Sequence, residues 1–368
     1  MTPPGPSPAA SDRGQGPASN RGPRSPGSGY LGPQKSRGGA KWVLGGLALL
    51  VVIVVTVVTA LLITRNSHGP STGPPPSLTN SPASSGAASA DDKGPASIVT
   101  EDPTCATWSP IVATLHDALQ RGWDRRDSTV PATEWAPKDR ELHEAAARSM
   151  LSAADETVPL VQLTTHRVMR ELYEQSIAYW RAYASSINHY VPEHNYLAAA
   201  ANGFSSAINW ICGAITYGSA AARAPLIAQG VTPLSVSPLG DPNEPRRFLE
   251  NGTPVCVDWA EMVTQYRAST EKWLTTADPN VPAGQWTPEQ SELFTSVVGI
   301  ISDNANEVQN LGLQSTNLVW RDFADLSAQY RRAYVQSIPS YTPADNYLDS
   351  AASELIIAVD QACKALGN

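Results

Sequence analysis

The residues YWRAYASSINHYVPEHNYL at positions 179–197 return as YRRAYVQSIPSYTPADNYL at positions 330–348. Tyr179-x-Arg181-Ala182-Tyr183 lies on Tyr330-x-Arg332-Ala333-Tyr334. Ser186-Ile187, Tyr190, Pro192 and Asn195-Tyr196-Leu197 lie on Ser337-Ile338, Tyr341, Pro343 and Asn346-Tyr347-Leu348. Working outward at the same offset of 151 residues, Arg170 meets Arg321 and Glu156 meets Glu307. Trp135-x-Pro137 meets Trp286-x-Pro288, and Val130-Pro131-Ala132 meets Val281-Pro282-Ala283. Trp108 falls on Trp259, Cys105 on Cys256 and Cys212 on Cys363. A gapless register of this length marks a tandem repeat of one unit of about 108 residues.

Each unit reads as four helices, because apolar residues recur at helical spacing. The first runs from about Cys105 to Trp123, with Trp108, Val112, Leu115 and Leu119 as its stripe. The second starts at Pro137 or Pro288, since proline suits the first helical position. Thr287 caps it in the second copy, with Gln290 completing a capping box. Pro159 in one copy and Gly312 in the other are expected to end or kink this helix. The third covers roughly 164–188, with Val168, Leu172, Tyr179, Tyr183 and Ile187 on one face. The fourth starts at Pro192 or Pro343 and runs to the cysteine near the end of each unit.

An up-down-up-down bundle brings the start of its first helix beside the end of its fourth. Cys105 and Cys212 occupy those positions, as do Cys256 and Cys363, and each pair is separated by 107 residues. The expected pairing is therefore Cys105–Cys212 and Cys256–Cys363. Disulfides need an oxidising compartment.

Upstream, the chain changes character. Residues 1–41 are Pro, Gly, Ser and Arg with almost no aliphatic side chains, a composition expected to stay disordered. Residues 42–64 are an apolar run without charge, long enough for one transmembrane helix. Six cationic residues and Asp12 precede it, a net of +5, which leaves −13 for the rest of a chain whose total is −8. Only Arg65 follows closely. The positive flank stays in the cytoplasm, so the N-terminus is expected inside and the C-terminal part outside, in agreement with the cysteines. Residues 65–100 read as a flexible extracytoplasmic linker. The remaining divisions are 101–216 and 254–368 for the two bundles, with 217–253 between them. The expected fold is all-α: tandem up-down-up-down four-helix bundles, one disulfide each, behind a single membrane span.

The acidic balance, with a pI of about 5.3, argues against nucleic acid, whose binding footprint is basic. No serine-hydrolase elbow, phosphate-binding loop or zinc-protease pattern appears, nor any close Cys-x-x-Cys pair. No metal, no cofactor and no catalytic residue is expected. The twinned residues are the candidates for binding: Trp135 and Trp286 as loop anchors, and Arg181, Tyr183, Arg332 and Tyr334 as the lining of a groove. The competing reading makes those tyrosines core and the tryptophans plugs of the bundle ends. Glu156 and Glu307 fall near the apolar phase of the second helix, where a carboxylate needs a cationic partner. Arg170 and Arg321 are the first choices, with Arg181 and Arg332 as the others.

With 20 arginines to six lysines and abundant alanine, the chain resembles in composition and layout the single-pass envelope proteins of high-GC actinobacteria. The resulting expectation is a non-enzymatic, membrane-anchored, extracytoplasmic helical protein that binds an envelope partner: protein, lipid or glycan. A signal-relay receptor is the alternative, and an extracytoplasmic hydrolase the less favoured one.

Overall fold

The computed structural model describes residues 86–367. The tail, the span at 42–64 and most of the linker lie outside the described residues. Among the described residues no helix is long and apolar enough to cross a membrane.

The first repeat is built from α1 (Cys105–Leu119), α2 (Pro137–Leu163), α3 (Arg167–Ser186) and α4 (Asn195–Thr216). A short α5 (Ser219–Arg223) follows. The second repeat is α6 (Val255–Thr276), α7 (Pro288–Ser296), α8 (Val298–Gln314), α9 (Leu318–Ser337) and α10 (Asn346–Lys364). Pro192–His194 and Pro343–Asp345 form the single tight turns that start each fourth helix. The described chain is all-helical, with both expected disulfides: Cys105–Cys212 and Cys256–Cys363. Each staples the start of the first helix of its repeat to the end of the fourth.

The twin helices differ where local chemistry differs. Gly122 takes φ 126°, which only glycine adopts without strain, so α1 ends and Trp123 folds back under it. In the second copy Trp273 stands at that register position. There α6 runs on, and Trp273 itself reaches the core. Both indoles meet the same tyrosine edge-on or tilted: Trp123 against Tyr183 at 5.7 Å and Trp273 against Tyr334 at 6.0 Å. In α1 it is Ile111 that is buried, with Val112 only partly covered.

Neither expected breaker ends the second helix at its own position. Four residues of α2 follow Pro159. Gly312 lies inside α8, where a Cβ would stand 2.4 Å from that of Ala324 on α9. It is a close-approach residue, not a terminator. The break falls instead at Val297, between α7 and α8. The β-branched pair Val297-Val298 followed by Gly299 is a weak helix former; Ala146, Ala147 and Arg148 hold those positions in the unbroken twin. Thr287 does cap α7, accepting from the Gln290 N–H at 3.2 Å. The Gln290 side chain turns away and donates to the Asp278 carbonyl at 2.8 Å.

The two repeats share a core. Helix α4 lies against α10 so closely that a Cβ on Gly203 would be 2.7 Å from that of Ala358. Phe204 of α4 meets Phe323 of α9 at 5.2 Å, and Phe248, from the inter-repeat segment, closes on both. Trp210 and Tyr217 clasp Tyr347 at the other end. Residues 86–367 accordingly fall in one compact unit.

Two extended straps complete that unit. Residues 86–104, expected as the end of a flexible linker and the start of a bundle, are packed down: Ser89, Ala96, Ile98 and Val99 are buried. At the same offset, residues 237–255 lead into α6, with Phe248 and Leu249 buried. Pro103 and Pro254 mark equivalent positions just before each cysteine. The repeat therefore starts upstream of the cysteine and includes a strap.

Candidate functional site at the repeat junction

The twinned tyrosines are core residues. Tyr183 is fully buried, and its hydroxyl accepts from the Trp123 indole at 2.9 Å and bonds the His143 ring at 3.0 Å. Burial raises its pKa, partly offset by the nearby Arg126 guanidinium. Tyr334 is equally buried, with its pKa raised well above the usual tyrosine value for the same first reason. Trp135 and Trp286 are half-buried plugs. Each indole N–H donates to the carbonyl five residues earlier, Val130 at 2.9 Å and Val281 at 2.7 Å. Trp135 stacks on His143 at 3.9 Å, and Trp286 on Phe294 at 4.3 Å. His143 and Phe294 are register twins, so an imidazole fills the place of a phenyl ring. Burial, and secondarily Arg126, lowers the His143 pKa to about 4.

Arg181 and Arg332 reach across to the second helix of their own repeats. Arg181 donates to Asp155 at 2.7 Å and also to the Asn243 carbonyl. Arg332 donates to Asn306 at 3.0 Å and Gln309 at 2.8 Å. Asp155 and Asn306 are twins, so the bond persists while the charge is lost. Glu156 and Glu307, expected as the partners, are exposed. Glu156 accepts from Ser152 instead. The buried positions on either side are Ala154 and Thr157 in one copy and Ala305 and Val308 in the other. Arg170 contacts Glu171 at 3.6 Å and Glu174 at 3.5 Å, its own helix neighbours. No ion pair of Arg321 occurs among the described residues.

The groups brought together most tightly lie where α3, α9 and the first strap meet. Arg167 is 1% exposed. Its Nε and Nη2 donate to the two oxygens of Asp322, both at 2.8 Å. Its Nη1 donates to the carbonyls of Asp92 at 2.9 Å and Gly94 at 3.0 Å. Glu171, the register twin of Asp322, is fully buried beside this pair, and neither of its oxygens accepts a hydrogen bond. Burial first, then the Asp322 charge, pushes the Glu171 carboxyl well above the usual carboxylate range. The sequence carried a signal for this cluster: Glu171-Leu172 and Asp322-Phe323 place an acid beside a core residue at the same position of both repeats.

A cleft opens beside each strap. The first, about 400 Å³, is lined by Asp92, Pro95, Ser97, Thr165, His166 and Val168, among others. The second, about 580 Å³, includes Arg246, Phe248, Asn317 and Val319, the register twins of Pro95, Ser97, His166 and Val168. The duplication thus produced two equivalent clefts whose chemistry has diverged. Among the described residues no cluster of His, Cys, Asp and Glu is arranged to hold a metal.

The chain between the repeats has a distinct surface. Residues 224–240 carry no charge. Val231 is 80% exposed and Leu234 100%, with Leu226 and Leu239 also open. One buried amide meets the stretch itself and another holds the chain just beyond it. With its amide turned to match donors to acceptors, Gln329 donates to the Ala228 carbonyl at 3.1 Å and accepts from the Gly230 N–H at 3.2 Å. Gln175 donates to the Arg246 carbonyl at 3.1 Å and accepts from the Phe248 N–H at 2.9 Å. Arg223 forks onto Asp345 of the second repeat at 2.8 and 2.9 Å.

No solved structure matches the chain. It is 43% identical over 333 residues to an uncharacterized protein of Mycolicibacterium smegmatis, an alignment covering 90% of this chain and 88% of the relative. That share exceeds the helical unit, so the likeness reaches into the N-terminal part. The model of the family described as mycobacterial ESX-1 associated protein matches residues 87–367, which takes in both straps and both repeats. The chain belongs to that family of mycobacterial ESX-1 associated proteins.

Proposed function

We propose that this protein is a single-pass, extracytoplasmic helical scaffold that serves the ESX-1 secretion system without enzymatic activity, and that it docks an envelope partner through residues 224–240. The observation that carries this reading is the surface of that stretch: uncharged, openly aliphatic, and anchored by the buried Gln329. Isolated exposed apolar residues are ordinary, but a contiguous run of them marks an interaction site. Ordering the stretch in advance lowers the entropy lost on binding. Family membership supports the association with ESX-1. The span at 42–64 and the charge asymmetry around it support the topology, and the two disulfides agree with an oxidising compartment.

The test replaces Val231 and Leu234 by aspartate in the chromosomal copy. Both side chains are exposed, so the variant should keep the wild-type melting temperature and membrane fractionation. ESX-1-dependent secretion should fall to the level of the deletion strain. Wild-type secretion from a variant made at normal levels would reject the docking role.

A further inference from the structure

We propose that residues 86–104 form a latch joining the upstream chain to the junction between the repeats, with Arg167 as its catch. One guanidinium serves two clients. Its Nε/Nη2 edge holds Asp322 of the second repeat, and its Nη1 corner holds the Asp92 and Gly94 carbonyls of the strap. The backbone N–H of Arg167 also donates to the Asp92 carboxylate at 2.7 Å. The planar fork of arginine makes this double grip possible; lysine has no equivalent geometry.

The two grips depend on one another. With the strap in place, the Arg167–Asp322 pair is sealed from water and strong. With the strap lifted, water reaches the guanidinium and the pair becomes a screened surface contact of little strength. Loss of Asp322 removes the two-point grip on a buried cation and leaves it with Asp92 at 3.7 Å and the unbonded Glu171 beside it; without the fork to hold it, the guanidinium shifts and the strap loosens. Strap release and loosening of the junction are therefore one event.

The asymmetry of the duplication points to purpose. The second strap runs over the equivalent groove, but Leu318 stands at the register position of Arg167. The neutral Gln175 makes the buried grip on that strap, with Asn317 on the Phe248 carbonyl beside it. A charged side chain also reaches that strap, Arg181 on the Asn243 carbonyl, but it is partly exposed and shares a surface carboxylate, Asp155; only the strap whose upstream chain leads toward residues 42–64 has a buried charged catch. The first strap also borders the docking stretch: a Cβ on Gly230 would be 3.1 Å from the Ala96 carbonyl oxygen. Release of the latch would thus alter the footing of residues 224–240. The latch does not require that stretch to be the docking site.

Hydrogen exchange on the full-length chain in detergent tests the coupling, using Asp92→Ala, Asp322→Ala and Arg167→Lys. Asp92→Ala should speed exchange on the order of tenfold in 86–104, and also in the first turns of α9, which Asp92 does not touch. Asp322→Ala should do the reverse, freeing the strap from the far side, and Arg167→Lys should free both. Gln175→Leu should free the second strap alone. Asp92 lies on the strap surface, so its variant stays informative if Asp322→Ala misfolds. Exchange that rises only in the segment carrying the substitution, or uniformly over the whole unit, overturns the latch.

Discussion

Gly203 is where the joining of the repeats can be tested most sharply. Replacing glycine by alanine inside a helix ordinarily stabilises by about 0.5–1 kcal/mol, because the unfolded chain loses freedom. At Gly203 the added methyl would stand 2.7 Å from the Ala358 Cβ and 2.9 Å from its Cα. Carbon atoms in good contact sit roughly 3.5–4.0 Å apart. The shortfall is about 1 Å, and neither opposing atom can rotate away, since both are fixed by the α10 backbone. Overpacking of this kind costs about 1–3 kcal/mol, and the rigid neighbour places it in the upper part of that range. Sterics should outweigh propensity, for a net loss of about 1–2 kcal/mol. For a domain of this size that lowers the melting temperature by about 2–8 °C. Gly299→Ala is the control. Nothing lies within 4 Å of a methyl there, so that variant should melt slightly higher than wild type. Thermal unfolding of the full-length chain, followed by circular dichroism, reads both. If Gly203→Ala stabilises as Gly299→Ala does, α4 and α10 do not meet at this distance and the shared core is misplaced.

Three further outcomes are expected. Converting Cys105 and Cys212 together to alanine removes a bridge across a separation of 107 residues, which should lower stability by about 4–5 kcal/mol in denaturant titrations. His143→Phe copies Phe294 of the twin. The native imidazole has its pKa lowered to about 4, so the unfolded state binds the extra proton between about pH 6.5 and 4, and wild type loses stability as pH falls through that window. The variant should lack this loss, as pH-dependent melting will show. In the second repeat, buried Arg331 binds Asp349 and the Tyr266 hydroxyl; Trp180, Ala198 and Leu115 hold the twin positions. Asp349→Ala alone should cost about 3–5 kcal/mol by stranding the guanidinium. Adding Arg331→Trp and Tyr266→Leu should recover most of that.

How far the structure was legible in the sequence depended on how each feature is encoded. The repeat and the disulfide pairing were legible because identities recur at a constant offset and the helix order alone brings Cys105 to Cys212. The tyrosine cores were legible in outline from their helical spacing. The straps were not: Ala96, Ile98 and Val99 are too few to show a period, and their burial comes from a groove that exists only once both repeats fold. Arg170 was matched with Glu156 through a phase error: Glu156 is exposed to water, while Ala154 and Thr157 on either side are buried. Gly312 resembled a breaker because sequence alone does not separate a glycine that ends a helix from one that admits a neighbour. Arg167 escaped notice because its partner lies in the other repeat and its twin position holds leucine. The exposed stretch at 224–240 was visible only as a proline-rich connection; that its aliphatic side chains point outward is a property of the fold.

The central claim is that residues 224–240 meet an ESX-1 partner. A photo-crosslinking amino acid at position 234 in living cells tests it directly, with Leu313, also exposed, as the control position. Mass spectrometry of the adducts should identify an ESX-1 component from position 234 and none from position 313. The same adducts from both positions, or none from position 234 in cells that secrete normally, would contradict the account.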